Sequence, residues 1–130
     1  MRINTIWITG ANGRLGSTLV RYLDPLEAEI IATDKDEVDI TKQEEVNLFV
    51  DRNRPKIIIN CSGITNRLKC ENDPDKAYLL NALGAKNIAI ASNRVRAKLV
   101  QLSTADVFDG QTIHPYKEID KANPNTVYGK

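Results

Sequence analysis

The chain has 130 residues, of which 42% are hydrophobic, and a formal net charge of +1. This length and composition suit one domain with its own core. The balanced charge gives no reason to expect nucleic acid or an anionic membrane surface as a partner. No apolar run approaches the roughly 20 residues of a membrane span, and no signal peptide is visible, so we expect a cytoplasmic protein.

Two cysteines, Cys61 and Cys70, accompany a single histidine, His114. These residues lack the spacing of a metal site. We therefore expect two free thiols, with no disulfide and no bound metal.

Three glycines follow the first predicted strand, which covers residues 3–9 and is almost continuously apolar. Gly10 permits a sharp turn off the strand, Gly13 lets the backbone approach a pyrophosphate, and Gly16 lets the next helix pack tightly on the strand. The pyrophosphate would lie at the N-terminus of that helix, whose free N–H groups and dipole favour an anion. The alternative is a glycine-rich turn that serves packing only.

The later elements are predicted from hydrophobic spacing, prolines and capping patterns. In chain order they are a helix from about residue 14 that ends at Pro25, a strand over 29–33, a helix with a capping box at Thr41 and Glu44, a strand over 56–60, a loop over 61–72, a long helix opened by Asp73 and Pro74, a strand over 99–103 and an ordered loop over 104–127.

This alternation predicts an α/β fold, a Rossmann-type doubly wound parallel sheet with helices on both faces. Right-handed crossovers with a switch after the third strand give the strand order 3-2-1-4. A complete sheet of this type has about six strands, so we expect residues 1–130 to be an incomplete dinucleotide-binding domain, truncated to about four strands. Its last strand would be an exposed edge, which favours a homodimer formed by edge pairing.

Asp34 ends the second predicted strand and Lys35 follows it. A carboxylate in this position can accept a hydrogen bond from a ribose 2′-hydroxyl, which favours NAD. The lysine could offset the repulsion of a 2′-phosphate, which keeps NADP open. The alternative is a solvent-exposed aspartate before a helix.

Polar and small residues end the third and fourth predicted strands. Cys61, Ser62 and Gly63 would let a loop pass close to a cofactor, and the hydroxyl of Thr104 could bind a substrate carbonyl. The alternative for Thr104 is simple strand-end capping.

Tyr128 can act as a general acid if a nearby cation lowers its pKa. Lys130 is only two residues on and would point away from it on a helix. Taken alone, Tyr128 is typical of a packing residue.

Six stretches together resemble the N-terminal part of the extended short-chain dehydrogenase/reductase family, most closely its dTDP-4-dehydrorhamnose reductases. They are residues 8–16, 32–34, 39–41, 81–84, 107–110 and 128–130. The resemblance implies NADH or NADPH as reductant and a nucleotide-linked 4-keto-sugar as substrate. It also implies a Ser/Thr–Tyr–Lys group, which gives catalytic roles to Thr104 and Tyr128. The lysine of that group and a C-terminal substrate domain would lie beyond the printed residues.

The cofactor-binding residues that the resemblance implies include two, Asp39 and Ile40, that would flank the adenine. The full set is Gly10, Asn12, Gly13, Arg14, Leu15, Gly16, Asp34, Lys35, Asp39, Ile40, Cys61, Ser62 and Gly63.

The chain departs from that family on the side that would face the sugar. Ala105 and Asp106 stand where the family usually has Asp-Tyr, and residues 61–65 replace its Ala-Ala-Ala-Tyr-Thr. We therefore expect a cofactor-binding fragment of a keto-sugar reductase, inactive alone. The alternatives are a non-catalytic dinucleotide-binding regulatory or sensor protein, or a similar domain that has lost nucleotide binding.

Overall fold

The structure is a computed structural model that describes residues 4–23 and 28–130. The predictions at Ile3 and Pro25 lie outside these residues. In chain order the elements are β1 (Asn4–Thr9), α1 (Arg14–Leu23), β2 (Ala28–Ala32), α2 (Gln43–Asn53), β3 (Ile57–Asn60), α3 (Arg67–Asn72), α4 (Pro74–Tyr78), a π-helical segment (Leu79–Gly84), α5 (Ala85–Val95), β4 (Lys98–Gln101) and a 3-10 turn (Ala105–Val107). The α/β class is confirmed.

The four strands form one parallel sheet in the order β2-β1-β3-β4. The predicted order 3-2-1-4 is wrong, because the chain reverses direction across the sheet after β2 and not after the third strand. β3 pairs with the free edge of β1, with Trp7 opposite Ile58. Right-handed crossovers then leave α1 and α2 on opposite faces. The switch point, where ligands bind in such sheets, therefore lies between β1 and β3.

The main core lies between the sheet and the two long helices α2 and α5. Trp7 is fully buried there, with its ring centroid 4.4 Å from that of Phe49 and its indole N–H donating to the Thr33 hydroxyl at 2.9 Å. The other buried members come from the sheet, the loop after β2 and both helices, and are Val38, Ile40, Val46, Val50, Ile58, Ile88 and Ala91. This core fixes the strand ends that border the switch point.

The start of α2 differs from the predicted capping box. The helix begins at Gln43, and its N-cap, Lys42, makes no side-chain capping bond. The Thr41 hydroxyl instead donates to the Asp39 carboxylate at 2.7 Å, and the Thr41 N–H donates to the same oxygen at 3.0 Å. An ionised carboxylate is a stronger acceptor than a neutral group, so Thr41 serves the preceding turn.

The predicted loop over 61–72 contains a helix, α3, which the sequence pattern did not indicate because six residues carry little periodicity. Its N-cap is Asn66, whose side chain accepts the Lys69 N–H at 2.9 Å. The next helix begins as predicted, since the Asp73 side chain accepts the Lys76 N–H at 3.0 Å and Pro74 is the first helical residue. It continues through the π-helical segment into α5.

The segment after β4, predicted to be an ordered loop over 104–127, contains the 3-10 turn and several side-chain hydrogen bonds. The Asp109 carboxylate accepts from the Tyr116 hydroxyl and the Asn123 side chain, each at 2.8 Å. β4 lies at an edge of the sheet, and Val100 is 38% exposed. Pairing of this edge with a second copy stays a prediction. Within residues 4–23 and 28–130, no helix is long and apolar enough to cross a bilayer.

Candidate functional site

Two clefts lie side by side at the carboxyl end of the sheet and share residues 61–65. The first, of about 980 Å³, contains Gly10, Gly13 and Asp34, and we call it the glycine cleft. The second, of about 720 Å³, contains Thr104 and Tyr128, and we call it the tyrosine cleft. The predicted residues of the two chemical functions are thus separated by a single loop.

The three glycines differ in what surrounds them. Gly10 has φ +62°, and a Cβ there would lie 2.8 Å from the backbone of Cys61. A Cβ on Gly16 would overlap the carbonyl oxygen of Gly10, so α1 can pack here only on a glycine. A Cβ on Gly13 would meet only that same oxygen within 4 Å, at 3.2 Å. Backbone atoms therefore surround Gly10 and Gly16 closely, whereas a Cβ on Gly13, which lines the glycine cleft, would make a single close contact.

Asp34 connects the end of β2 to the glycine turn. Its carboxylate accepts the Asn12 N–H at 2.9 Å and the Lys35 N–H at 2.8 Å, one on each oxygen. Ala11 reinforces the connection with an N–H bond to the Thr33 carbonyl at 3.0 Å. Each carboxylate oxygen retains acceptor capacity for a ligand hydroxyl. Asp34 is thus a structural tether of the turn as well as a candidate ribose ligand, with the exposed Lys35 beside it.

Asp39 and Ile40 both border the glycine cleft but present different groups to it. The hydroxyl of Thr41 holds the pKa of Asp39 below its ordinary value, with a further contribution from the Thr41 N–H. Ile40 is 3% exposed, and its Cδ1 lies 2.8 Å from where a Cβ on Gly84 would be. The Ile40 side chain therefore belongs to the core, and the absence of a side chain at Gly84 makes room for it.

Of the other predicted cofactor residues, four lie outside the lining of the glycine cleft: Asn12, Arg14, Leu15 and Gly16. Arg14 and Leu15 open α1 and are exposed, Leu15 by 43%. Their backbone N–H groups belong to the first helical turn, which has no acceptors of its own within the helix. These residues can thus contribute main-chain donors next to the cleft.

The loop shared by the two clefts is held from both ends. At its start, the Ser62 N–H donates to the Asn60 amide oxygen at 3.2 Å. Further along, the Asn81 side chain makes a pair of bonds with the backbone of Ile64, at 2.8 and 2.9 Å. Residues 81–84 were recognised as a motif, but this role of Asn81 was not predicted, because the two partners are far apart in sequence.

Both cysteines are free thiols in the structure. Cys61 lies in the shared loop, and burial raises the pKa of its thiol. Cys70 is fully buried, donates from its Sγ to the Ile64 carbonyl at 3.4 Å, and also has a thiol pKa raised mainly by burial. Within the part of the chain that the structure describes, no three His, Cys, Asp or Glu side chains are grouped as metal ligands.

Thr104 and Tyr128 reach the tyrosine cleft from two different segments. The Thr104 hydroxyl oxygen accepts the Asp106 N–H at 3.2 Å and caps the 3-10 turn, which leaves its hydroxyl proton available to a ligand. Tyr128 is half-buried in a turn over residues 126–129. The structure thus brings the two predicted catalytic residues into one cleft.

Two contacts beside the tyrosine cleft were not predicted. Arg67 makes a two-pronged ion pair with Asp106, and this carboxylate raises the pKa of the Arg67 guanidinium. Glu71 accepts the Val127 N–H at 2.8 Å. In the sequence alone, Asp106 stands out only as a departure from the family pattern.

The family described as "RmlD substrate binding domain" matches residues 4–130. The chain is 39% identical over 125 residues to the spore coat polysaccharide biosynthesis protein SpsK of Bacillus subtilis, covering 96% of the chain and 44% of that protein. It is 38% identical over 124 residues to dTDP-4-dehydrorhamnose reductase of Aggregatibacter actinomycetemcomitans, covering 95% and 42%.

A solved structure extends the similarity to three dimensions. The crystal structure of dTDP-4-dehydrorhamnose reductase from Bacillus anthracis in complex with NADP superposes with a TM-score of 0.95 at 42% identity. The match covers 99% of this chain and 46% of that one. The chain therefore spans less than half of the length of the relatives it matches.

Proposed function

The chain belongs to the RmlD substrate binding domain family, and from that premise we propose that it is the cofactor-binding portion of an NAD(P)H-dependent reductase of a nucleotide-linked 4-keto-sugar. One observation carries the proposal: the glycine cleft and the tyrosine cleft share the loop over residues 61–65. A cofactor in the first cleft and a sugar in the second would meet at this loop. Such proximity is what direct transfer between two bound molecules requires.

The glycine cleft supports a nicotinamide dinucleotide, which supplies the hydride when bound. Because Gly13 lines the cleft without a side chain, a pyrophosphate could approach the backbone there, and the first-turn N–H groups of α1 can donate to it. Asp34 suits the ribose 2′-hydroxyl of NAD, and Lys35 suits a 2′-phosphate. Because the B. anthracis relative was crystallised with NADP, NADPH is the first cofactor to test.

The tyrosine cleft supports reduction of a carbonyl. In this proposal Tyr128 gives its hydroxyl proton to the carbonyl oxygen as that oxygen becomes an alkoxide. The hydroxyl of Thr104 donates a hydrogen bond to the same oxygen and orients it. The backbone N–H of Asp106 already occupies one lone pair of Thr104, which restricts where its proton can point.

Calorimetric titration of the 130-residue chain with NADPH and NADH tests the cofactor half of the proposal. We expect binding of at least one, and we expect Gly13→Val to abolish it, because a side chain at this lining position would keep the pyrophosphate away from the backbone. The matched control is Ile119→Val, since Ile119 is 90% exposed and lines neither cleft. Absence of heat with both cofactors at millimolar concentration would reject nucleotide binding.

Turnover is measured with the protein expressed from its complete reading frame, because the chain spans 46% of the B. anthracis reductase. We expect loss of NADPH absorbance when a dTDP-linked 4-keto-6-deoxy sugar is added, with formation of the 4-hydroxy sugar. We expect the 130-residue chain to bind cofactor without turnover, since the lysine of the family's catalytic group is not among its residues. Binding without turnover in the complete protein would favour the regulatory alternative.

A further inference from the structure

The short helix α3 contacts both segments that carry the proposed reactive hydroxyls. Arg67 and Glu71 are four residues apart and so lie on one face of α3. Arg67 donates from Nε and Nη2 to the two carboxylate oxygens of Asp106. Glu71 accepts the N–H of Val127 at 2.8 Å. One face of α3 is thus bonded to two loops that are distant from each other in sequence.

Each of these two contacts lies next to a proposed catalytic residue. Asp106 donates its N–H to the Thr104 hydroxyl oxygen at 3.2 Å, so a shift of Asp106 also shifts the acceptor geometry of Thr104. Val127 directly precedes Tyr128. The two loops also touch, because a Cβ on Gly129 would overlap the carbonyl oxygen of Asp106. The α3 face, the 3-10 turn and the Tyr128 turn therefore form one closed set of contacts.

α3 is itself fixed to the rest of the domain. Cys70 is fully buried on it, and its thiol donates to the Ile64 carbonyl. The Asn81 side chain, on the π-helical segment, bonds to both the N–H and the carbonyl of the same residue, Ile64. These contacts connect α3 to the loop shared by the two clefts, so the helix joins that loop to the two segments that carry Thr104 and Tyr128.

We propose that Arg67 and Glu71 are positioning residues, which hold Thr104 and Tyr128 at a separation that lets both hydroxyls address one carbonyl. The proposal rests on the proposed function. Neither residue lines either cleft, so they act through the segments they hold. The side chain of Asp106 is 12% exposed and that of Arg67 67% exposed. Removal of Arg67 would leave a largely buried carboxylate without its partner and release the 3-10 turn.

Steady-state kinetics of the complete protein with NADPH and the keto-sugar test the proposal. We expect Arg67→Met and Glu71→Met each to lower kcat by about tenfold or more, since small misplacements of reacting groups have effects of this size or larger. The dissociation constant for NADPH should stay within about twofold, because the glycine cleft is untouched. Glu71→Gln keeps an oxygen acceptor for the Val127 N–H and should restore most of kcat.

Leu68→Ala is the control on the same helix, since Leu68 is 69% exposed and lines neither cleft. It should leave kcat and the midpoint of urea unfolding unchanged. If Arg67→Met and Glu71→Met retain wild-type kcat while the wild type turns over, the positioning role is refuted. Equal kcat for Glu71→Gln and Glu71→Met would refute the hydrogen bond as its basis.

Hydrogen exchange separates this inference from the proposed function. The Val127 amide should exchange much faster in Glu71→Met than in wild type or in Glu71→Gln, whether or not the protein reduces a sugar. A wild type that binds NADPH but reduces no keto-sugar would overturn the proposed function and, with it, the catalytic purpose of α3. An unchanged exchange rate of the Val127 amide in Glu71→Met would overturn the role of the Glu71 side chain in holding this segment.

Discussion

The hydroxyl of Thr9 donates a 2.6 Å hydrogen bond to the amide oxygen of Asn60, across neighbouring strands in which these residues lie opposite each other. Both residues are 1% exposed. The Asn60 amide nitrogen in turn donates to the Gln101 side chain on β4 at 2.8 Å. One buried amide therefore joins the carboxyl ends of three strands at the point where the shared loop begins.

Thr9→Val should lower the free energy of unfolding by about 1–2 kcal/mol, because the buried amide oxygen of Asn60 loses its shortest hydrogen bond. Urea unfolding followed by the fluorescence of Trp7, the single tryptophan and fully buried, measures this. Thr5→Val is the matched control on the same strand, since the Thr5 bond to Glu29 is exposed. It should change stability by less than about 0.5 kcal/mol. Equal losses in the two variants would contradict the prediction.

The glycine turn could be predicted from sequence because its consequences are local. Gly10 turns the chain directly off β1, and Gly16 packs against the carbonyl of Gly10 only six residues earlier. The Asp73 cap and Pro74 likewise act within one helical turn. Alternating strands and helices also sufficed for the fold class, since parallel strands need helical crossovers.

The strand order and the contacts of α3 could not be predicted because they depend on residues distant in sequence. No local pattern near β3 indicates which edge of β1 it pairs with, and the core that forms around this pairing combines residues from the sheet, α2 and α5. The Arg67–Asp106 pair joins residues 39 positions apart. Thr41 illustrates a local failure, since the neighbouring Asp39 carboxylate took the hydroxyl that the capping pattern assigned to the helix.

Gly13 and Gly16 should respond differently to the same substitution. Gly16→Ala should destabilise the fold by about 1–3 kcal/mol, as overpacking does, because its Cβ would overlap the Gly10 carbonyl. Gly13→Ala should leave stability within about 1 kcal/mol, since its Cβ meets a single atom at 3.2 Å. It should instead weaken NADPH binding by about tenfold or more, because the added methyl lies where the phosphates approach.

Urea unfolding and calorimetry on both variants make this comparison. A Gly13→Ala chain that binds NADPH like wild type would contradict the role proposed for that position. A Gly16→Ala chain of wild-type stability would contradict the packing role of Gly16.

The stability that Thr41 confers should depend on pH. Its hydroxyl lowers the pKa of Asp39 in the folded state. This contribution is fully present above the pKa of an unfolded aspartate, about 3.9, and is lost as the pH falls through the lower folded-state pKa. Thr41→Val should therefore have a free energy of unfolding about 1 kcal/mol lower than wild type at neutral pH. This difference in free energy should become smaller below about pH 4.

Unfolding curves recorded from neutral to acidic pH test this dependence, with Thr41→Ser as the control because it keeps the hydroxyl. The serine variant should follow the wild type across the whole range. If the difference in unfolding free energy between Thr41→Val and wild type stays constant with pH, the Thr41 side chain acts through packing and not through the Asp39 carboxylate.

Tyr128→Phe should remove the proposed proton donor and little else. The ring is half-buried in the tyrosine cleft and would be retained, so the cleft keeps its shape. General acid catalysis contributes about 100- to 10,000-fold, and we expect kcat of the complete protein to fall by about that factor. NADPH affinity should be unchanged, because Tyr128 does not line the glycine cleft.

The control is Tyr22→Phe, since Tyr22 is 73% exposed on α1 and lines neither cleft. A Tyr128→Phe enzyme with at least half of wild-type kcat would assign proton transfer to another group, and Thr104, the other hydroxyl proposed to contact the carbonyl, would be the next residue to replace.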